Sequence, residues 1–429
     1  MNEPLNAWQC ELQQRRHQTQ ALARWAAFGT ALFAVSVLRA AEPPRAAPER
    51  ATPVRPGEPY PSATAADLER FQRGRAAFET SHGVQTGLGP VFNDSACNRC
   101  HNRKGVGGAG IQSVTLVGRL DGDRYDPLLS RGGPTLAATS VLSEPAAEVQ
   151  RLIPNCKLSR DGEPVPSAAN VVARRRTTPL FGLGLVDATP DATFRALAAG
   201  QPAKIRGRAA QVRNLATGGL SVGKFGWKSQ APSLHQFSGM ALLLELGITN
   251  PEFASEQPPL GNPLLLEACD PVPELEEDAH GVQHLTDFMQ LLAPIAPLPQ
   301  SPDARTGDTL FTRLGCDGCH VRRLSSGTSP IAALALQPYA PYSDFLLHDM
   351  AESADDVGSD GDARPHEMRT APLWGGHLLG GSRLWHDGRA RSYAQAIELH
   401  AGQGSAARAA FGNLSARKQE QLLAFLATL

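Results

Sequence analysis

Cys97-Asn98-Arg99-Cys100-His101 and Cys316-Asp317-Gly318-Cys319-His320 decide how this chain is read. Two cysteines with two residues between them fit one helical turn, and that spacing matches the two vinyl groups of a haem. The next residue, His, then points back to the iron as proximal ligand. All three residue types are needed in that order, and here the order occurs twice. A zinc ribbon would use both cysteine pairs but needs no His after each. A thioredoxin-like redox pair sits in a βαβ context, which the flanking sequence lacks. The motifs predict two covalently bound haem c groups, attached through Cys97, Cys100, Cys316 and Cys319. His101 and His320 are the predicted proximal iron ligands.

Outward from each motif the chain repeats itself. Gly74, Phe78 and Cys97 are matched by Gly307, Phe311 and Cys316 in the same order, as in a repeat of cytochrome c units. Apolar spacing predicts helices from residue 65 onward and over 192–199, 234–246, 276–292, 307–314 and 415–429. Residues 111–120 alternate apolar and polar, as a short strand or hairpin does. The Pro-rich stretch 294–302 is the clearest internal boundary. The expected fold is mainly α: two cytochrome-c-like haem domains, over 64–295 and 300–429, with a small β insertion in the first.

Composition sets the class. The chain has 429 residues, 41% hydrophobic and 19% charged, enough for two or three folded units with cores of their own. A formal net charge of -1 offers no basic field, so no nucleic-acid partner is expected. Aromatic residues are only 6%. Residues 1–41 read as an export signal or an uncleaved anchor. Arg15 and Arg16 precede an uncharged apolar run over 25–38, but Leu38 and Arg39 stand where a cleavage site wants small residues. A Pro/Ala-rich linker follows over 42–63. The expected location is the periplasm, with membrane contact only through the N-terminal segment if it stays attached. In that oxidising compartment the remaining cysteines, Cys156 and Cys269, would tend to pair, though spacing alone does not decide it.

Several longer segments carry a family resemblance: Gly87-Leu88-Gly89-Pro90-Val91-Phe92-Asn93, Pro179-Leu180-Phe181-Gly182-Leu183-Gly184-Leu185, Phe225-Gly226-Trp227-Lys228, Leu346-Leu347-His348-Asp349-Met350, Arg369-Thr370-Ala371-Pro372-Leu373-Trp374-Gly375 and His386-Asp387-Gly388-Arg389-Ala390. From about Gly74 to the C-terminus the chain resembles the bacterial di-haem oxidoreductase and peroxidase family, related to di-haem cytochrome c peroxidases. The resemblance implies a division of labour. The C-terminal haem would be six-coordinate and take electrons from a small cytochrome or copper protein. The N-terminal haem would meet peroxide or another small oxidant.

It also implies site residues. The related peroxidases place the distal ligand of the C-terminal haem fourteen residues after the His of a His-Asp-Gly turn. From His386 that position is His400, where the relatives usually have Met. Met350 is the alternative for the same iron. For the first haem, the family order of Trp, Gln and Glu falls on Trp227, Gln236 and Glu245, at spacings of nine rather than near ten. A carboxylate with an amide beside it can move the peroxide proton from one oxygen to the other. Simple solvation on a polar helix face is the competing reading of Gln236 and Glu245, and His235 is an alternative distal ligand for the first iron. Calcium is a weaker expectation, on Asp355, Asp356, Asp360 and Asp362, whose spacing matches no known calcium loop. The function expected is a peroxidase-like oxidoreductase. The alternatives are a pure electron-transfer cytochrome and an oxygenase or protein-modifying enzyme on the same scaffold.

Overall fold

The structure is a computed structural model that describes residues 54–122, 124–272, 275–351 and 361–429. The leader and the first part of the linker lie outside these residues, as do Asp355, Asp356 and Asp360. Among the described residues, no helix is long and apolar enough to cross a membrane.

Helix α1 spans Ala65–Glu79. It begins on a capping box: the Thr64 hydroxyl accepts from the Asp67 N–H at 3.2 Å, and Asp67 accepts from the Thr64 N–H at 3.1 Å. The first haem motif follows. Next comes a small antiparallel sheet centred on β1 (Ser113–Asp121), which pairs with β2 (Arg124–Asp126), β3 (Thr135–Leu136) and β4 (Val171–Arg176). This is the β insertion expected near 111–120, extended by partners that lie too far along the chain for local alternation to reveal.

Helix α2 (Leu234–Ala241) runs on as a π-helical turn over Leu242–Leu246. Helix α3 (Ala279–Leu291) then packs on α1, with Phe288 at 5.3 Å from Phe71 and 4.6 Å from Phe78 between ring centres. Gly74 stands at this crossing. A Cβ there would fall on the His284 carbonyl oxygen, so only glycine lets the backbones approach so closely.

The second half repeats the device. Helix α4 (Pro302–Arg313) starts earlier than periodicity predicts, because Ser301 caps it and Pro302 takes the first turn. The proline that looked like a boundary is therefore the first residue of the helix. Strands β5 (Leu347–Asp349) and β6 (Glu367–Arg369) pair antiparallel. Helix α5 (Tyr393–Glu398) follows, and helix α6 (Ala416–Leu426) closes the chain on α4. Phe311 meets Phe425 at 5.4 Å, and a Cβ on Gly307 would strike the Gln421 carbonyl oxygen. In both halves the glycine permits the crossing, and the phenylalanine four residues on touches both the partner helix and the motif's histidine. Phe78 lies 6.1 Å from His101 and Phe311 lies 6.4 Å from His320.

The two largest apolar clusters hold these crossings. The smaller gathers Leu310, Phe311, Phe411, Leu422 and Phe425. The larger holds Phe71, Phe78, Phe288 and Leu292, and also reaches past residues 294–302 to Leu334, Phe345 and Trp374. Apolar packing thus crosses the Pro-rich stretch. Cys156 and Cys269 are joined by a disulfide, with Cα atoms 4.6 Å apart.

Candidate functional site

Cys97–Cys100 forms one helical turn, which presents both thiols and then His101. The His101 Nδ1 faces the Thr178 carbonyl oxygen at 2.9 Å. An N–H on Nδ1 leaves the Nε2 lone pair for a metal. Burial pulls this imidazole down to about 4, so it is neutral at physiological pH. Burial likewise pushes the Cys97 and Cys100 thiols up to about 12. The second motif follows the same plan: His320 Nδ1 faces the Tyr342 carbonyl at 2.9 Å, and burial lowers its pKa. None of these four cysteines is in a disulfide.

His400 lies at the C-terminal end of α5. Its Nδ1 faces the Ala396 carbonyl at 2.8 Å, and burial brings it down to about 4. Its ring centre is 6.4 Å from that of His320. A metal–imidazole bond of about 2 Å puts each ring centre roughly 3 Å from the metal, so two imidazoles on opposite sides of one ion stand roughly 6 Å apart. The donor set and the separation fit a haem iron held between His320 and His400. The other imidazole in this region, His348, is otherwise engaged. His348 Nε2 pairs with Asp344 Oδ2 at 2.9 Å and its Nδ1 faces Gln403 Oε1 at 3.2 Å. Burial alone would lower its pKa, but Asp344, with the neighbouring Cys319, pushes it up, and both ring nitrogens already have hydrogen-bond partners. The Met350 N–H donates to the His366 carbonyl, in the turn after β5.

Near the first motif, Glu245 is carried on the π-helical turn. Burial raises its carboxyl above the ordinary range, against the pull of a hydrogen bond from Asn93 Nδ2 at 2.9 Å. Its charge raises the pKa of Cys97 and Cys100, so it lies near this motif. Asn93 is fixed twice more: its N–H donates to the Glu245 carbonyl at 2.7 Å and its Oδ1 accepts from the Ala138 N–H at 3.0 Å. The amide beside the carboxylate is therefore Asn93 and not Gln236. Gln236 accepts from the Leu215 N–H at 3.0 Å and donates to the Arg213 carbonyl at 3.0 Å, pinning a surface turn. Gln236 stands on the α-helical stretch and Glu245 on the π-helical turn that follows it, and the two side chains bond to different partners. Asn93 was already visible in its Gly-Pro-Val-Phe-Asn segment, but nothing local pairs it with a residue so far along the chain.

His235 is not aimed at the first motif. Its Nε2 meets Glu252 at 2.7 Å and its Nδ1 meets Thr286 on α3 at 3.4 Å. Asp362, from the acidic stretch, is ion-paired with Arg208. Trp227 donates its indole N–H to the Arg176 carbonyl at 3.2 Å and lies 6.3 Å from the His386 ring. His386 in turn lies 5.9 Å from Trp385, which stands edge-on to His400 at 4.9 Å. A continuous row of aromatic rings thus joins Trp227 to the His320–His400 pair.

A profile of the family described as "Di-haem oxidoreductase, putative peroxidase" matches residues 165–429. The chain belongs to this family. The matched span includes Trp227, Glu245, His320 and His400 and begins downstream of the first motif. No curated protein sequence matches the chain. Among solved structures, the chain is similar to Kuenenia stuttgartiensis hydrazine synthase, at 12% identity and a TM-score of 0.37, covering 94% of this chain and 100% of that one. It is also similar to a MauG-like protein associated with microbial copper homeostasis, at 14% identity and a TM-score of 0.38, covering 89% and 93%.

Proposed function

We propose that this oxidoreductase is an exported di-haem c-type cytochrome that reduces peroxide, taking electrons in at the haem of Cys316–His320 and using them at the haem of Cys97–His101. Two cytochrome-c-like haem domains divide the work. The haems would be bound by thioethers to Cys97, Cys100, Cys316 and Cys319, whose thiols are neutral and outside any disulfide. The Cys156–Cys269 disulfide agrees with an oxidising compartment such as the periplasm.

The single observation that carries this reading is the half-buried Glu245 carboxylate, near the first motif and held by Asn93. Bound haem supplies an iron that accepts and delivers single electrons and offers peroxide a coordination site. The protein supplies the proton chemistry. Two electrons and two protons convert hydrogen peroxide to two waters, and they arrive one electron at a time from a small cytochrome or copper protein. Glu245 Oε accepts the proton from the near oxygen of peroxide and returns it to the far oxygen as the O–O bond breaks. Burial sets its pKa closer to neutrality than an exposed carboxyl, which suits a group that must both accept and donate. Asn93 Nδ2 fixes the orientation of the carboxylate. His320 and His400 are both neutral imidazoles and suit an electron-transfer centre that keeps its ligands in both oxidation states.

The test is a haem count and a turnover assay on the exported protein. Pyridine haemochrome after denaturation should give two covalent haems per chain. Peroxide should oxidise a pre-reduced cytochrome or copper protein in its presence. Haem extractable by acid acetone, or no peroxide-dependent oxidation with any donor of that class, would rule the proposal out.

A further inference from the structure

Arg176 and Arg369 flank Trp227, with Arg383 beside Arg176; among the described residues the one carboxylate whose charge reaches any of them is Asp344, felt at Arg369. Arg176, at 9% exposure, lies over the Trp227 ring at 5.6 Å. Its Nε donates to the Trp385 carbonyl at 2.9 Å and its Nη1 to the Thr177 carbonyl at 3.3 Å. Arg383 lies close enough for its like charge to be felt at Arg176. Its Nη2 donates to the Ile111 carbonyl at 2.5 Å, and its buried Nε has no partner. Arg369 holds the other side of Trp227. Its backbone N–H donates to the Trp227 carbonyl at 3.0 Å, its Nε to the Gly226 carbonyl at 2.7 Å and its Nη1 to the Thr370 carbonyl at 3.3 Å.

Among the described residues none of these three guanidinium groups has a carboxylate in ion-pair contact. A buried cation satisfied only by carbonyl oxygens is costly, and two side by side are costlier. The cost shows in the titration: burial, with Arg383 adding to it, pulls Arg176 down to about 10, and burial pulls Arg369 down to about 10 against the opposing pull of Asp344. An anion is the missing component. Each guanidinium still has an unused Nη2 or Nε edge, the planar fork that suits a carboxylate.

The positions say which anion. Arg176 ends β4, two residues before Thr178, whose carbonyl anchors His101. Arg369 ends β6 and lies over Phe345 at 5.4 Å, next to Asp344, whose N–H donates to the Cys319 carbonyl at 2.9 Å. The cations therefore stand between the two haem motifs, one group tied to each. We propose that Arg176 with Arg383 binds a propionate carboxylate of the first haem, and that Arg369 binds a propionate carboxylate of the second, on opposite sides of Trp227. The assignment rests on the di-haem reading and goes beyond it by naming what holds the haem edges away from the cysteines. It makes the arginines positioning residues that keep the propionates ionised and bias each iron toward its reduced form.

The experiment is spectroelectrochemistry on the exported, haem-loaded protein and its variants, each haem followed separately across pH 5–8. In Arg176→Met the first haem's potential should fall and become newly pH-dependent, as a propionate without its cation titrates. Arg369→Met should do the same at the second haem only. Arg176→Lys should restore most of the potential, since it keeps the charge. If Arg176→Met fails to load haem, the Lys variant decides: loading with a near-native potential supports the assignment, and a defect equal to that of the Met variant overturns it. Acetate added to the native protein should leave both potentials unmoved. A shift that saturates with acetate would mean that the arginines face free anions, and the assignment falls. Variants with two haems and unchanged potentials also overturn it, whereas a native protein lacking two haems would overturn the underlying reading instead.

Discussion

Asn93 Nδ2 donates to Glu245 Oε2 at 2.9 Å, joining residues 152 positions apart in the chain. The contact holds a half-buried carboxylate near the first Cys-x-x-Cys-His motif and supplies its amide partner.

Glu245→Gln should lower peroxide turnover on the order of a hundredfold or more, because an amide cannot accept the proton. Both haems should remain attached, as pyridine haemochrome would show. The native pH profile carries the sign. Burial raises the Glu245 pKa above the ordinary carboxylate range, so its basic form is lost as pH falls through that raised value. Turnover should therefore drop on the acid side, and the Gln variant should lack that limb. Asn93→Leu should raise the pKa further and move the limb to higher pH, since the hydrogen bond it removes favours the ionised form. Native turnover in Glu245→Gln would show the carboxylate to be a bystander.

His400→Ala should open the second iron and add a high-spin signal from that haem alone. His400→Met should keep six ligands while raising its potential, because thioether donates less to ferric iron than imidazole. Optical and paramagnetic resonance spectra of the two variants check both points. Unmoved spectra in the Ala variant would transfer the ligand role to another side chain, with Met350 next in line.

Gly307→Ala should destabilise the packing of α4 on α6. The added Cβ meets the Gln421 backbone oxygen, which cannot rotate away, so the helices must part. Overpacking of this kind costs about 1–3 kcal/mol. Thermal unfolding followed at the second haem's absorption should shift down. Gly200→Ala has nothing within 4 Å of its Cβ and serves as the control that should not shift.

Reduction of Cys156–Cys269, or Cys156→Ser with Cys269→Ser, should destabilise the first half by roughly 2–5 kcal/mol, since the bond closes a long loop in the unfolded chain. Denaturant unfolding with and without reductant measures it. The haem count should stay at two, because the attachment cysteines are elsewhere. Loss of haem in the double Ser variant would tie this bridge to the first haem motif directly.

Local signals in the amino-acid order were enough for the two Cys-x-x-Cys-His motifs, the Gly–Phe repeat ahead of each, and most helix positions. Each depends on spacing within a few turns of chain, which periodicity and motif order express directly. His400 was pointed to only by the family resemblance, which places a ligand fourteen residues after the His of a His-Asp-Gly turn; the structure sets its ring 6.4 Å from that of His320. Tertiary structure alone decided the rest. That Asn93 and not Gln236 accompanies Glu245 follows from a contact between distant segments and from Gln236 bonding to the turn at Arg213 and Leu215. That His235 turns to Glu252 and Thr286, that Cys156 meets Cys269, and that Arg176 and Arg369 flank Trp227 likewise depend on which distant elements pack together. Composition and periodicity carry no record of such pairings, since the energy that selects them is the burial and satisfaction of groups far apart in the chain.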